Sequence, residues 1–279
     1  MQNSSAQKKH ADRSTARCAA ALIVFGLLAT SWSAAASVVP LGAADTFAVL
    51  GGSTVTNTGA TVVTGDLGVS PGSAVTGFGP GVVLNGSIHM NDALAMQAHA
   101  DAATAYGQLV GETFTTDLSG QNLGGMTLMP GVYHFGTTAQ LTGTLTLNTL
   151  GDPNAAFHFQ IGTTLTTDPG SMITLLNGSS ANIFWQVGTS ATIGVDSVFD
   201  GTILANQSIT VNSGATISGR AIAINAAVTL DTDTINAPVV PEPSTWFAGV
   251  LTLALVGFTE RRRMQKFFAT VWYEIAGYP

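Results

Sequence analysis

The side chains of this chain whose type and spacing could do chemistry are hydroxyls. In its second half short stretches alternate an apolar residue with Ser or Thr: Thr164-Leu165-Thr166, Ser190-Ala191-Thr192, Ser208-Ile209-Thr210 and Ala227-Val228-Thr229. Their last threonines lie 26, 18 and 19 residues apart, the slightly irregular period expected of a solenoid whose coils stack neighbour on neighbour. On a β-strand residues i and i+2 share a face about 6.6–6.8 Å apart, and stacked strands repeat every ~4.8 Å. The outward side chains then form a grid of methyl and hydroxyl groups. Because threonine is also a good residue for any exposed strand, the pattern alone leaves a plain structural role open.

Groups able to act as acids, bases or ligands are sparse. His134 and His158 occupy similar settings, Tyr133-His134-Phe135 and Phe157-His158-Phe159; with the aromatics inward, both imidazoles are expected on the surface, one rung apart. No Cys or carboxylate nearby completes a metal set, so plain surface histidines are favoured. Asp231 and Asp233 alternate as if on one face but lack the repeated Gly-Asp cassette of calcium-loaded solenoids, and a solvated edge is the expectation. Arg220 is the one cation between the ends and is expected to pair with a carboxylate such as Asp200 or to close a turn. β-Helix enzymes that cleave acidic polysaccharides need several cooperating cations, which are missing here, and no nucleophile triad or phosphate loop occurs. The chain reads as a non-enzyme that needs no cofactor and no metal.

Charged residues make up 9 % of the chain, against roughly 25 % in ordinary globular proteins. Recurrent Ile, Val, Leu and Phe at alternating positions still supply a core that a disordered chain lacks. The basic residues sit at the two ends, Lys8 to Arg17 and Arg261 to Lys266, and residues 41–236 hold twelve Asp plus Glu against Arg220 alone, a formal charge of −11. Such a domain cannot neutralise phosphates, which excludes nucleic acid and anionic membrane surfaces as partners. The lone Cys18 falls in the leader, so packing and backbone hydrogen bonds must hold the remainder.

Residues 1–36 read as a secretory signal: a basic start, an apolar run from Ala19 to Ala29, then Ala34-Ala35-Ala36 as a cleavage site. Residues 37–237 form the β-rich domain, with further rungs at Thr46–Ser87 and Gly124–Leu147 punctuated by Gly and Pro turns. One segment, about 91–110, is rich in alanine and poor in β-branched residues. It predicts a helix capped by Asn91 or Asp92 and stopped at Gly111, with Leu94, Ala98, Ala102, Ala105 and Leu109 on one stripe. Its ~27 Å length matches five or six stacked rungs, so it is expected to lie lengthwise over an apolar face. Residues 238–279 begin with Val240-Pro241-Glu242-Pro243-Ser244, continue with an apolar stretch from Trp246 to Phe258 and then Arg261-Arg262-Arg263. This tail resembles a PEP-CTERM sorting signal. The likeness implies recognition by an exosortase in a Gram-negative bacterium, transient anchoring in the inner membrane, and delivery to the outer surface or matrix. Membrane contact is then confined to the signal and the tail, whose arginines stay cytoplasmic; Met264 to Pro279 extends beyond the usual end of such signals.

Several motifs of the domain resemble the bacterial and fungal ice-binding-like family. They are Leu41-Gly42-Ala43-Ala44-Asp45-Thr46-Phe47-Ala48-Val49-Leu50, Gly65-Asp66-Leu67-Gly68-Val69-Ser70-Pro71-Gly72, the Ala-rich helix with Ala105-Tyr106, Pro130-Gly131-Val132-Tyr133, Asn182-Ile183-Phe184-Trp185-Gln186-Val187-Gly188 and Gly219-Arg220-Ala221. The resemblance implies a mainly β fold, a discontinuous right-handed β-helix of roughly triangular section with one long α-helix alongside. It also implies binding to the ordered water of an ice crystal through one flat face with few charges, often bearing Thr-Gly/Ala-x-Thr/Asn patterns. Thr58-Gly59-Ala60-Thr61 fits that pattern and Ser213-Gly214-Ala215-Thr216 nearly does, although Val198 and Met172 fall in the Thr216 column. The favoured site is Thr164, Thr166, Ser190, Thr192, Ser208, Thr210 and Thr229; Ser213 and Thr216 are the second candidate. The alternative function is a non-enzymatic adhesin or structural protein of the cell surface or biofilm matrix on the same scaffold.

Overall fold

A computed structural model of the protein describes residues 39–178 and 182–238; the segment read as a signal, 1–36, and residues 239–279 of the segment read as a sorting tail lie outside them. Every strand pair in it is parallel, and each turn of chain passes along three walls, with a short strand on most of them. The coil Gly131–Phe135, Ala139–Leu141, Thr144–Asn148 sets the pattern. Its three strands belong to three walls, here the first, second and third face in chain order. Apolar residues of each strand turn inward and stack on their counterparts in the coils above and below. The most substantial of these columns is aromatic: Tyr133 lies over Phe159 with ring centroids 5.4 Å apart, Phe159 over Trp185 at 3.7 Å, and Trp185 against Phe199 at 5.1 Å.

The first and third faces join into one 15-stranded sheet because two strands, Val198–Ala205 and Thr216–Ala223, run through a corner without a break. The bend falls at Gly201 (φ +111°) and Gly219 (φ +155°). A Cβ on Gly219 would come within 1.9 Å of the Gly201 carbonyl oxygen, so only glycine lets successive coils turn here in register.

Stack order departs from chain order. The coil that ends at Thr234–Asn236 is followed in space by the first coils of the chain: Phe47–Gly51 pairs with Thr216–Ala223, Thr54–Asn57 with Val228–Leu230, and Val62–Thr64 with Thr234–Asn236. The chain therefore begins in the middle of the stack, builds to one end at Ile88–Met90, crosses to the other end, and winds back. The crossing is helix α1, Ala93–Gly111, N-capped by Asp92, whose carboxylate accepts from the Ala95 amide at 2.9 Å. Its buried stripe is Ala95, Ala98, Ala102, Ala105 and Leu109; Leu94, expected in that stripe, is 40 % exposed and Ala95 takes its place. Small alanines let the helix approach the first face, where Leu50, Ile222 and Leu204 form the apolar column it covers. At its far end Gln160 donates to the Leu109 and Glu112 carbonyls at 2.7 and 2.8 Å, and Gln186 donates to the Tyr106 hydroxyl at 2.9 Å. No helix among the described residues is long and apolar enough to cross a membrane.

The few charges play other parts than the sequence suggests. Arg220, 2 % exposed, pairs with Asp45 (Nη2–Oδ1 2.8 Å) instead of Asp200 and also donates to the Asp45 carbonyl. It thereby ties the short 3-10 turn Gly42–Thr46 to the stack. The two histidines both alternate with the inward aromatics, but they are not matched and not both at the surface: His134 stands beside Gln160, and His158 stands beside Val132. His158 is fully buried against Glu112, beyond the helix end, with Phe184 edge-on to its ring. The register follows the inward column Tyr133–Phe159, which shifts the two His by one side-chain pair.

Asp233 is likewise no solvated edge, being 1 % exposed. It lies where the last coil meets the first. Its backbone amide donates to Thr61 Oγ1 at 3.2 Å, Thr61 donates to Asn57 Oδ1 at 2.6 Å, and its carboxylate accepts from the Asp231 amide at 2.7 Å. Burial, with the Asp231 charge adding to it, pushes the Asp233 carboxyl up to about 7. A carboxyl whose pKa is higher folded than unfolded favours the fold while protonated, and that contribution is lost as pH rises from the ordinary carboxylate range through 7. Asp200, pushed up to about 6 by burial, acts in the same direction. The melting temperature is expected to be higher at pH 5 than at pH 9. Asp233→Asn should shrink that difference and Asp233→Asn with Asp200→Asn should remove most of it, as read by thermal melts monitored by circular dichroism.

Candidate functional site

The second face is an independent seven-stranded sheet. Its central outward column reads Gln140, Thr166, Thr192, Thr210, Thr229, Thr56 and Thr76 in unbroken register, six consecutive threonines after one glutamine. On both sides of each of the threonines from Thr166 to Thr56 the strand turns an apolar or buried residue inward, for example Ile209 and Val211 around Thr210. The core thus fixes which side chains face out. The adjoining outward column holds Thr138, Thr164, Ser190, Ser208, Ala227, Thr54 and Ala74, in step with the first.

All seven residues of the favoured sequence assignment, Thr164, Thr166, Ser190, Thr192, Ser208, Thr210 and Thr229, therefore fall on this wall. Neighbouring hydroxyls reach each other along the stack: Ser190 Oγ and Ser208 Oγ are 3.1 Å apart, and Thr56 Oγ1 donates to Thr229 Oγ1 at 3.3 Å. Neither column contains a charged residue. The nearest carboxylates, Asp168 and Asp231, stand at the corner edge. Asp168 is engaged there by Thr142 at 2.7 Å and by Gln140 at 3.3 Å.

The second candidate lies elsewhere. Thr216 is on the third face, between Val198 and Thr234 in its column, with Met172 beyond Val198; Ser213 is in the corner before it. Nor is Thr58-Gly59-Ala60-Thr61 a display motif. Thr61 is fully buried in the Asn57–Asp233 network, and the segment is the corner between second and third faces. Thr56 and Thr76 are the site residues that sequence reasoning missed. Thr54-Val55-Thr56 and Ala74-Val75-Thr76 carry the same signature as the later rungs, but the order of stacking hides that they continue the same column.

Other concavities offer less. A cleft of ≈ 380 Å³ at the helix end is lined by Tyr106, Val110, His134, Gln160 and Gln186, and both glutamines are already committed to holding the helix. Among the described residues no group of three or more His, Cys, Asp or Glu is placed to hold a metal ion.

Residues 49–236 match the family described as ice-binding-like. An ice-binding protein from Nostoc sp. (strain HG1) is 50 % identical over 258 residues, covering 88 % of this chain and 95 % of its own length. The crystal structure of an ice-binding protein from an Antarctic biological consortium superposes with a TM-score of 0.72 at 45 % identity, covering 74 % of this chain and 94 % of that one. That of an ice-binding protein from the Antarctic ascomycete Antarctomyces psychrotrophicus gives 0.70 at 41 % identity, with 72 % and 99 % covered.

Since Thr192 and Thr210 project from the wall and hold no neighbour in place, Thr192→Tyr and Thr210→Tyr are expected to change unfolding free energy by no more than ~0.5 kcal/mol. Urea titration monitored by tryptophan fluorescence checks this, and any loss of activity in these variants then reads on the surface alone.

Proposed function

The chain belongs to the ice-binding-like family, and from that premise we propose that it adsorbs to ice through the second face, with no chemical step. The observation that carries this reading is the uncharged column of six threonines running in register from Thr166 to Thr76. Each threonine offers one methyl and one hydroxyl on a stiff χ1, repeated every ~4.8 Å along the stack. Such an array holds a sheet of water in fixed positions that can merge with a growing lattice. Charged groups would orient water around themselves instead, and the two columns have none. The wall is already rigid before contact, so little side-chain entropy is lost on adsorption. Catalysis has no place in this reading, which needs neither cofactor nor metal.

The proposal extends to the destination of the protein. The leader at residues 1–36 supports export. The Pro241-Glu242-Pro243 motif with its apolar stretch and Arg261-Arg262-Arg263 supports handling by an exosortase and placement on the surface of a Gram-negative cell after transient inner-membrane anchoring. There the protein would limit ice growth or recrystallisation, or tether the cell to ice.

The purified protein is expected to show thermal hysteresis and to halt recrystallisation in a frozen sucrose film. Thr192→Tyr with Thr210→Tyr, which places two rings in the middle of the column, should cut the hysteresis at least tenfold. Full activity in that double variant would move the site off the second face. A wild-type protein without any effect on ice would instead favour the adhesin.

A further inference from the structure

The last strand of the domain ends at one particular corner of the coil. Thr234–Asn236 lies on the third face, and its register with Thr216–Ala223 sets Ala237 beside Gly219, at the bend between third and first faces. The Ala237 amide donates to the Thr64 carbonyl at 3.0 Å, which pins it there. The chain cannot turn onto the first face from this point, because that place is filled by Phe47–Gly51, paired on one side with Thr216–Ala223 and on the other with Asp66–Val69. The crowding shows at Gly65, where a Cβ would stand 3.0 Å from the Thr46 carbonyl oxygen and 3.1 Å from the Ala237 Cβ. From Pro238 onward the chain must leave the stack, and it leaves at this corner.

The position of the exit bears on the second face in three ways. In a coil of three walls, the corner between third and first faces lies directly behind the second. Along the stack, the exit belongs to the same turn as Val228–Leu230, whose Thr229 is the fourth of the six threonines from Thr166 to Thr76, so it stands behind the middle of their column. Thr234–Asn236 is also paired on both sides, with Thr216–Ala223 and with Val62–Thr64, so a pull on the outgoing chain is shared by two neighbouring strands.

We infer that this corner is the mounting point of a tether between cell and ice: held by the chain beyond Pro238, the domain turns its second face straight away from the anchoring surface. This rests on the ice-binding and anchoring readings above and states how the two work together. Seven residues separate Pro238 from Trp246, where the apolar stretch begins, so an anchor at the start of that stretch holds the corner within ~29 Å. Charge acts in the same sense. Residues 41–236 hold twelve acidic residues against one arginine, and a domain of that sign is repelled by anionic lipid, which favours standing off on the tether over lying down on a wall.

The test uses the full protein with Cys18→Ser and one introduced cysteine carrying a donor dye, reconstituted in phosphatidylcholine vesicles that contain phosphatidylglycerol and an acceptor lipid. Asn236→Cys marks the exit and Thr192→Cys the second face, and energy transfer to the membrane is expected to be at least threefold stronger from Asn236→Cys. Thr64→Cys and Thr210→Cys, their neighbours in register, replace them should either fail to fold by circular dichroism. Vesicles bearing unlabelled protein should be held at a growing ice front, and those bearing Thr192→Tyr with Thr210→Tyr should be pushed ahead of it. Equal transfer from the two labels overturns the inference. So do vesicles pushed ahead while the same protein shows thermal hysteresis in solution, an outcome that leaves the ice reading standing. A protein that does not enter vesicles removes the anchoring reading, one without hysteresis in solution removes the ice reading, and either takes this inference with it.

Discussion

Parallel pairing in register is the constraint from which the rest of this structure follows. Each coil must place an inward residue over an inward residue and an outward one over an outward one, or the backbone ladder breaks. Chemical type is thereby copied along the stack: an aromatic column through Tyr133, Phe159 and Trp185, a hydroxyl column through Thr166 and its successors, an apolar column under the helix. A flat repetitive wall is the automatic by-product of a core built this way. What evolution has had to choose is only which side chain occupies the outward positions.

Charge has been kept off the outward columns of the second face, while several ionic groups have a task at a seam. Arg220 and Asp45 fasten the N-terminal turn to the stack, Glu112 and His158 fasten the segment just beyond the helix, and Asp92 caps the helix start while meeting His89 at 2.7 Å. Pairing charges in the interior is not a cheap source of stability, since desolvation offsets most of the attraction. Its return here is positional: Arg220 with Asp45 and His158 with Glu112 each join segments distant in sequence, and the two outward columns of the second face stay neutral.

Much of this was legible in the sequence because a solenoid rung is a local object. Ser190-Ala191-Thr192 announces its strand, its inward alanine and its outward hydroxyls within three residues, and the run of alanines from Ala95 to Ala105 announces a closely docked helix. What could not be read were facts of register and of stack order. His134 and His158 look equivalent in their own tripeptides, yet the aromatic column decides their alignment and separates them. Asp231 and Asp233 look alike until the corner of the last coil meets Asn57 and Thr61 of the first. Thr56 and Thr76 have the right local pattern, but their place in the column depends on a contact between the two ends of the domain.

That contact has its own consequence for how the molecule comes into being. The coils begun by Phe47–Gly51 have their seat on Thr216–Ala223, so the part of the domain translated first waits for the part translated last. A ribosome releasing the chain from its amino end cannot hand over finished coils one by one. Assembly needs pairings of long sequence separation, which are slow to form, and the nascent domain stays open until roughly its final coil has emerged.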